Sequence, residues 1–524
     1  MVVVGAGFAG MYMLHKCREQ GLSAQVFEAG GGVGGTWYWN RYPGARCDIE
    51  SMEYSYGFDE ELQQEWEWTE RYAPQPEILR YAEHVADRYD LRRDITFDTK
   101  VTSATYDEET ATWRVLTDGG HDVTCRFVVM ATGCLSSANT PDIAGKDDFA
   151  GPTYHTGLWP HEGVDFTGLR VGIIGTGSSA LQSIPIIAEQ AAQLTVFQRT
   201  ATYAVPAWNR PLDPDEVAKV KANYAEFRAA NRQMPSAFGA WLDHPEHATL
   251  EVSAQEREAR FEQRWALGGL PFIGAFTDLL IDADANEEAA EFVRKRIRAI
   301  VEDPDVARRL CPDQVIGCKR LCVDTGYYET FNRPNVLLVD LTESPIERIT
   351  PSGIRTSTDE HEFDAIIFAT GFDAMTGAIL RVDIRGKGGL PLREAWAAGP
   401  RTLLGLGVHG FPNLFTITGP GSPSVLTNML VSIQQHVEWI AECITYLRDR
   451  DLEAIEADED AQDHWVDFVN EVADITLFPR CNSWYLGANV PGKTRVFMPL
   501  PGFATYAEHC AGVAAEGYPG FTLT

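Results

Sequence analysis

The chain opens on an unbroken apolar run, Val2-Val3-Val4, that ends in the turn Gly5-Ala6-Gly7-Phe8-Ala9-Gly10. Met11, Met13, Leu14 and Cys17 follow at helical spacing, which predicts a helix through roughly Gln20 with one buried stripe. A second apolar run, Ala24 to Phe27, ends on Glu28 and reads as a strand. The same order returns later as strand Arg170 to Ile174, turn Gly175-Thr176-Gly177-Ser178-Ser179-Ala180, helix through roughly Ala191, and strand Leu194 to Phe197. Two further apolar runs, Phe127 to Met130 and Ala365 to Phe368, each lead into Ala-Thr-Gly, at 131–133 and 369–371. Between Pro214 and Arg309 the period turns helical. There Ser253 and Glu256 form a capping box for a helix ending near Gly268-Gly269, and Asn286 is placed to cap another through about Ile300.

Each glycine turn stands between a strand and a helix, the arrangement that binds a dinucleotide. Gly5, Gly7 and Gly10 permit the tight turn and let a pyrophosphate approach the positive end of the helix, while Glu28 is placed to accept hydrogen bonds from ribose hydroxyls. In the second unit Gly175, Thr176, Gly177, Ser178 and Ser179 form the turn, but the following strand ends in Gln198-Arg199-Thr200, with no acid. A carboxylate would repel a 2′-phosphate and a guanidinium pairs with it, so this unit favours NADPH over NADH. The fold class expected is α/β, with two Rossmann-like dinucleotide-binding domains and a helical insertion.

Lys and Arg number 44 against 75 Asp and Glu, a formal charge of −31. Such a surface repels phosphate backbones and anionic lipid, so neither nucleic acid nor a membrane is an expected partner. The ten cysteines show no paired spacing, and Cys311, Cys318 and Cys322 read as reduced thiols, with no zinc pattern among them. His244 and His247 lie in a His-Pro-Glu-His string without metal-ligand spacing, and no metal is expected. The N-terminus lacks the basic region of a signal peptide, which points to a cytoplasmic location. The chain begins directly on a strand, so a further N-terminal extension in the natural protein is also expected.

Residues 149–160 read FAGPTYHTGLWP, with Phe149, Gly151, His155, Trp159 and Pro160 in a fixed frame ahead of the second glycine turn. This string resembles the fingerprint of the type I Baeyer–Villiger monooxygenases. The resemblance continues through GGTWYWNRYPGARCD (34–48), CKR (318–320), GPGSPSVLTNM (419–429) and SWYLGANVPGK (483–493), and is strongest to the phenylacetone monooxygenase branch. It departs at Pro501-Gly502, where relatives tend to carry paired glycines, and this puts the local turn in question. The resemblance implies FAD in the first unit and NADPH in the second. It implies an FAD domain at 1–145 and 371–524, an NADPH domain at 146–213 and 310–370, and the insertion at 214–309. It places Glu28, Trp37, Asp48 and Tyr54 at FAD, Thr36 and Met429 among the cofactor-binding residues, and Trp484 near the nicotinamide cofactor. Arg199, Thr200 and Lys319 would grip the 2′-phosphate. His155 and Trp159 would couple domain movement instead of taking part in the chemistry.

A ketone does not react directly with dioxygen, so a cofactor must carry the oxygen. The implied reaction inserts one oxygen atom beside a ketone carbonyl, through a flavin peroxide, to give an ester or lactone. Arg320 is the expected catalytic cation and Asp48 the carboxylate that holds it. Small Ser424 in the 419–429 loop is expected to leave room for a ring, favouring aryl, bulky or cyclic ketones. The rival readings are a flavin monooxygenase acting on sulfides or amines and a non-catalytic NADPH sensor.

Overall fold

The computed structural model describes residues 1–488, 490, 492, 500 and 502–524; Pro501 lies outside them. A first sheet of five parallel strands runs in the order Leu414–Thr416, Val128–Met130, Val2–Val4, Gln25–Phe27, Ile95–Thr96. Its inner strands are apolar at consecutive positions because both faces are covered. A second parallel sheet runs Val336–Asp340, Gln193–Gln198, Arg170–Ile174, Ala365–Phe368, Thr153–His155. The two glycine turns leave the central strand of each sheet and enter the helices Phe8–Glu19 and Ser178–Gln190. The strand at 414–416 returns to the first sheet after the chain has completed the second.

The two Ala-Thr-Gly strands have one physical explanation. Gly5 sits at φ +104°, and a Cβ there would lie 2.7 Å from the Ala131 carbonyl oxygen. Gly175 repeats this at φ +115°, with the Ala369 oxygen 2.4 Å from a would-be Cβ. Each tripeptide thus runs backbone-close beside the first glycine of its own unit, where no side chain fits. Gly10 differs in kind: its Cβ would lie 1.8 Å from the Gly5 oxygen, so it serves the packing of helix on turn.

The segment between the sheets' halves holds helices Pro214–Ala222, Tyr224–Arg232, Ala254–Leu267, Ala283–Ile300 and Pro304–Leu310. Ser253 and Glu256 form the expected capping box, and the helix stops at Gly268. The other expected cap is corrected. Asp282, not Asn286, caps the helix Ala283–Ile300, accepting from the amides of Asp284 and Ala285 at 2.9 Å. Asn286 lies one turn inside and is buried, its amide donating to the carbonyls of Leu279 and Ile316 at 2.7 and 2.9 Å. A polar side chain with buried partners on both sides gains more as a bridge than at a solvated helix end. Arg228 fastens the helical segment to the first unit, donating to the Glu53 carbonyl at 3.1 Å and the Ser55 hydroxyl at 2.6 Å. Among the described residues no helix is long and apolar enough to cross a membrane.

Gly10→Ala should overpack the first turn and cost about 1–3 kcal/mol or more. Gly177→Ala, whose Cβ meets nothing within 4 Å, should leave folding untouched. Thermal melts of the two variants check this: equal melting temperatures would show that the third glycine has no packing role.

Candidate active site

One cavity of about 1520 Å³ runs between the two glycine turns. It is lined by Gly5, Gly7, Glu28, Thr36, Trp37, Asp48 and Tyr54 from the first unit, and by Gly175, Thr176, Gly177, Ser178, Ser179, Arg199 and Thr200 from the second. Lys319, Arg320, Met429 and Trp484 complete the set on its walls. Of the residues expected to bind cofactor or take part in the chemistry, Gly10 alone is not a lining residue, as its packing role requires.

The fit of a dinucleotide is legible in the turns. The helices Phe8–Glu19 and Ser178–Gln190 begin at Gly7 and Gly177 with no side-chain cap and no acid in the first turn. Their first N–H groups are therefore available to an anion. Across the first turn Gly35 faces Gly7, and a Cβ on Gly35 would lie 2.8 Å from the Gly7 Cα, so a side chain would fill the cradle. Glu28 is buried beneath this turn. Its carboxylate accepts from the amides of Ala6 at 2.6 Å and Gly30 at 2.7 Å. Burial raises its pKa, against the lowering effect of these amide donors. Holding the glycine turn in shape is a role for Glu28 beyond the ribose contact expected of it.

In the second unit Thr176 donates its hydroxyl to the Thr200 carbonyl at 2.9 Å, tying the turn to the Arg199 segment. Gln198, at the place of the missing acid, is buried and donates to the Arg309 carbonyl at 2.7 Å. Burial lowers the pKa of Lys319, and the nearby charge of Arg199 lowers it further. Two cations held close together without an acid at the strand end suit a doubly charged phosphate.

Arg320 and Asp48 meet across 272 residues of sequence. The guanidinium donates through Nε to Asp48 Oδ2 at 2.5 Å and through Nη2 to Oδ1 at 2.8 Å, while Nη1 donates to the Val425 carbonyl at 2.6 Å. Burial, the largest influence, pulls the Arg320 pKa down, but the charge and hydrogen bonds of Asp48 outweigh it and the net shift is upward. Arg320 therefore stays cationic. Trp37 donates its indole N–H to the Tyr54 hydroxyl at 3.1 Å, behind this pair. Tyr42 and Gln182 join the two units beside it, hydroxyl to amide oxygen at 2.8 Å.

Cys318 is not a reduced thiol. It forms a disulfide with Cys481 across 163 residues of sequence. Neither cysteine belongs to a paired spacing, so only the folded chain brings them together. Ser424 also departs from expectation: it is buried, with its hydroxyl donating to the Thr418 carbonyl at 3.2 Å, while Val425, Thr427 and Met429 line the cavity in its place. The sequence reading missed Tyr485, buried beside Trp484 with ring centroids 4.3 Å apart. Burial raises its pKa, while the charge of nearby Arg320 works to lower it. No period or charge pattern marked it.

His155 and Trp159 lie off the cavity wall. The Gly157 amide donates to His155 Nδ1 at 3.0 Å, which leaves Nε2 as the protonated nitrogen, 3.3 Å from the Asn139 carbonyl. The Thr370 hydroxyl donates to the same carbonyl at 2.6 Å, so this string pins the crossing at 139 to the second Ala-Thr-Gly. Trp159 is buried against Tyr154 and Phe166.

Comparison with known proteins bears on this geometry. The family model for pyridine nucleotide-disulphide oxidoreductases matches residues 2–255. A Baeyer–Villiger monooxygenase of Pseudooceanicola batsensis is 45% identical over 99% of this chain and 95% of its own. The chain belongs to the Baeyer–Villiger monooxygenase family. Other relatives of this monooxygenase include a phenazine N-monooxygenase of Lysobacter antibioticus, 42% identical over 100% of this chain and 96% of the relative. Another is a cyclohexanone 1,2-monooxygenase of an Acinetobacter species, 41% identical over 99% and 96%. Among solved structures, an oxidised steroid monooxygenase bound to NADP superposes with a TM-score of 0.94 at 55% identity, covering 100% of this chain and 98% of that one. The complex of OTEMO with FAD and NADP superposes at 0.96 and 41%, covering 100% and 99%. The enzyme is thus an FAD- and NADP-dependent oxidoreductase that oxygenates ketones, and its fold is the α/β fold of these flavin monooxygenases.

Arg199→Ala should raise the KM for NADPH while changing NADH use little, because only NADPH carries the 2′-phosphate. Steady-state kinetics with both cofactors checks this; equal weakening of the two would remove Arg199 from the phosphate site.

Proposed function

We propose that this monooxygenase acts on bulky cyclic and aryl ketones, with Arg320, held by Asp48, as the cation at the reacting carbonyl. The observation that carries the residue assignment is the two-pronged Arg320–Asp48 pair on the wall of the cavity that both glycine turns share. The bulky-substrate reading is supported by the 55% identity to a steroid monooxygenase, against 43% to a cyclohexanone monooxygenase. The identity to a phenazine N-monooxygenase favours a second reading, oxygenation of a ring nitrogen.

The chemistry supplied by the bound cofactors is reduction of flavin by NADPH and activation of dioxygen for transfer to the carbonyl. The chain's own part is electrostatic. A fixed guanidinium favours an anion forming beside it, both on the attacking oxygen and on the carbonyl oxygen after attack. Asp48 sets the orientation of that guanidinium and keeps it protonated, and the Val425 carbonyl fixes a third N–H. Trp37, Tyr54 and Met429 would form the flavin side of the cavity, and Trp484 with Lys319 and Arg199 the nicotinamide side. The domain division at 146, 214, 310 and 371 belongs to the same reading, supported by the way strands 153–155 and 365–368 share the second sheet while 414–416 returns to the first. So does a cytoplasmic location, which the eight unpaired cysteines support while the Cys318–Cys481 disulfide counts against it.

Arg320→Ala should keep FAD and some flavin reduction, yet lose about 10²-fold or more of ester formation, the usual cost of removing a donor to a developing oxyanion. Stopped-flow measurement of the two half-reactions decides; near-normal ester formation would remove Arg320 from the mechanism. A panel of phenylacetone, cyclohexanone, a steroid ketone and phenazine, ranked by kcat/KM with product identification, tests the substrate. A clear preference for cyclohexanone would overturn the bulky-ketone reading, and turnover of phenazine alone would establish the second.

A further inference from the structure

The Cys318–Cys481 disulfide joins two segments that the cavity needs side by side. Cys318 directly precedes Lys319 and Arg320, and Cys481 stands three residues before Trp484. Both sulfurs belong to a small apolar cluster that also holds Val425, whose carbonyl binds Arg320, and Tyr485 beside Trp484. Among the described residues, the backbone hydrogen bonds of residues 481–487 stay local in the chain, between 478 and 490, as from Cys481 to Phe478 and from Leu486 to Ser483. The disulfide is thus the covalent tie from this stretch to the Lys319-Arg320 segment. Cys318 is buried, whereas Cys481 is partly exposed and lines the cavity.

We propose that Cys318 and Cys481 are positioning residues whose disulfide braces the nicotinamide side of the cavity, and that a dithiol reductant releases this brace and weakens dinucleotide binding. The proposal rests on the assignment of Lys319 and Trp484 to the nicotinamide cofactor. The exchange balances as an ordinary two-electron step. A reductant thiolate attacks the more accessible Cys481 sulfur, the S–S bond breaks, and Cys318 leaves as a thiolate that takes up a proton. The second reductant thiol then closes on the mixed disulfide, Cys481 departs and is protonated, and the reductant ends as its own disulfide. With the tie broken, the Trp484 stretch keeps only non-covalent contacts, its packing and the interaction of Tyr485 with Arg320, and ordering it again costs part of the binding energy of the cofactor.

The test uses FAD-loaded enzyme, dithiothreitol as the dithiol and NADP⁺ as the titrant in calorimetry. Peptide mapping without reductant should show Cys318 linked to Cys481, and alkylation after dithiothreitol should mark both. The Kd for NADP⁺ should rise about fivefold or more on reduction, the lower end of ordinary coupling between sites, and return on re-oxidation. Cys481→Ser should sit at the reduced value and ignore dithiothreitol. An absent cross-link, an affinity indifferent to reduction, or a Cys481→Ser enzyme that still responds would each overturn the brace. An unchanged NADP⁺ affinity in Arg199→Ala, beside an intact redox response, would count against the phosphate assignment and for the brace.

Discussion

The contact between Arg320 and Asp48 is the constraint on which the rest of the site depends. The guanidinium and the carboxylate are each only partly exposed, and each supplies the opposite charge and the hydrogen bonds that the other loses from water. Here the two arrive from stretches 272 residues apart, so the pair exists only when both glycine units are folded and correctly placed. The bidentate geometry fixes direction as well as distance, and it leaves a permanent cation on the cavity wall. The neighbouring ties reinforce this placement. Tyr42 reaches Gln182, Arg228 reaches the 53–56 segment, and the Val425 carbonyl takes the remaining firmly held guanidinium N–H.

Around that contact the molecule is built from one solution used twice. In both units a strand ends in a glycine at positive φ because the carbonyl of a second strand occupies the space of its Cβ, at Ala131 and at Ala369. In both, a helix then begins on a glycine that leaves its first N–H groups uncapped. The units differ where their ligands differ. Glu28 underlies the first turn, while buried Gln198 takes the corresponding place in the second and leaves the surface to Arg199 and Lys319. The string from Phe149 to Pro160 supplies the edge strand Thr153–His155 of the second sheet, and its Gly157 and Leu158 reach the cavity wall. His155 and Thr370 share the Asn139 carbonyl, which ties the two segments together there.

Six of the ten strands of the two parallel sheets, both glycine turns, the Ser253 cap and the absence of an acid at Gln198 were legible in the sequence, since each depends on residues close together in the chain. Periodicity reports burial of a nearby face, and a glycine turn declares its own backbone geometry. The site residues recognised by family resemblance line one cavity, apart from Gly10, whose third-glycine position serves packing. Three expectations failed, two of them, at Asn286 and Cys318, because the deciding partner lies on another segment of the chain. Asn286 was placed at a helix start because helix caps are local, but its partners Leu279 and Ile316 lie on other segments. Ser424 was given an open pocket because it is small, whereas the Thr418 carbonyl claims its hydroxyl.

Cys318 is the plainest of the three, for its partner stands 163 residues away and no spacing announces it. The sequence by itself thus determined the two nucleotide-binding units, their order and the NADPH preference of the second, because these follow from short-range steric and electrostatic rules, while FAD in the first came from the family resemblance. Only the tertiary structure decided which groups share the cavity: Arg320 with Asp48, Tyr485 with Trp484 near both, Lys319 with Arg199, and one pair of cysteines among ten. Such contacts require loops of hundreds of residues to close, and their energy comes from burial and charge that no local stretch of chain possesses before it folds.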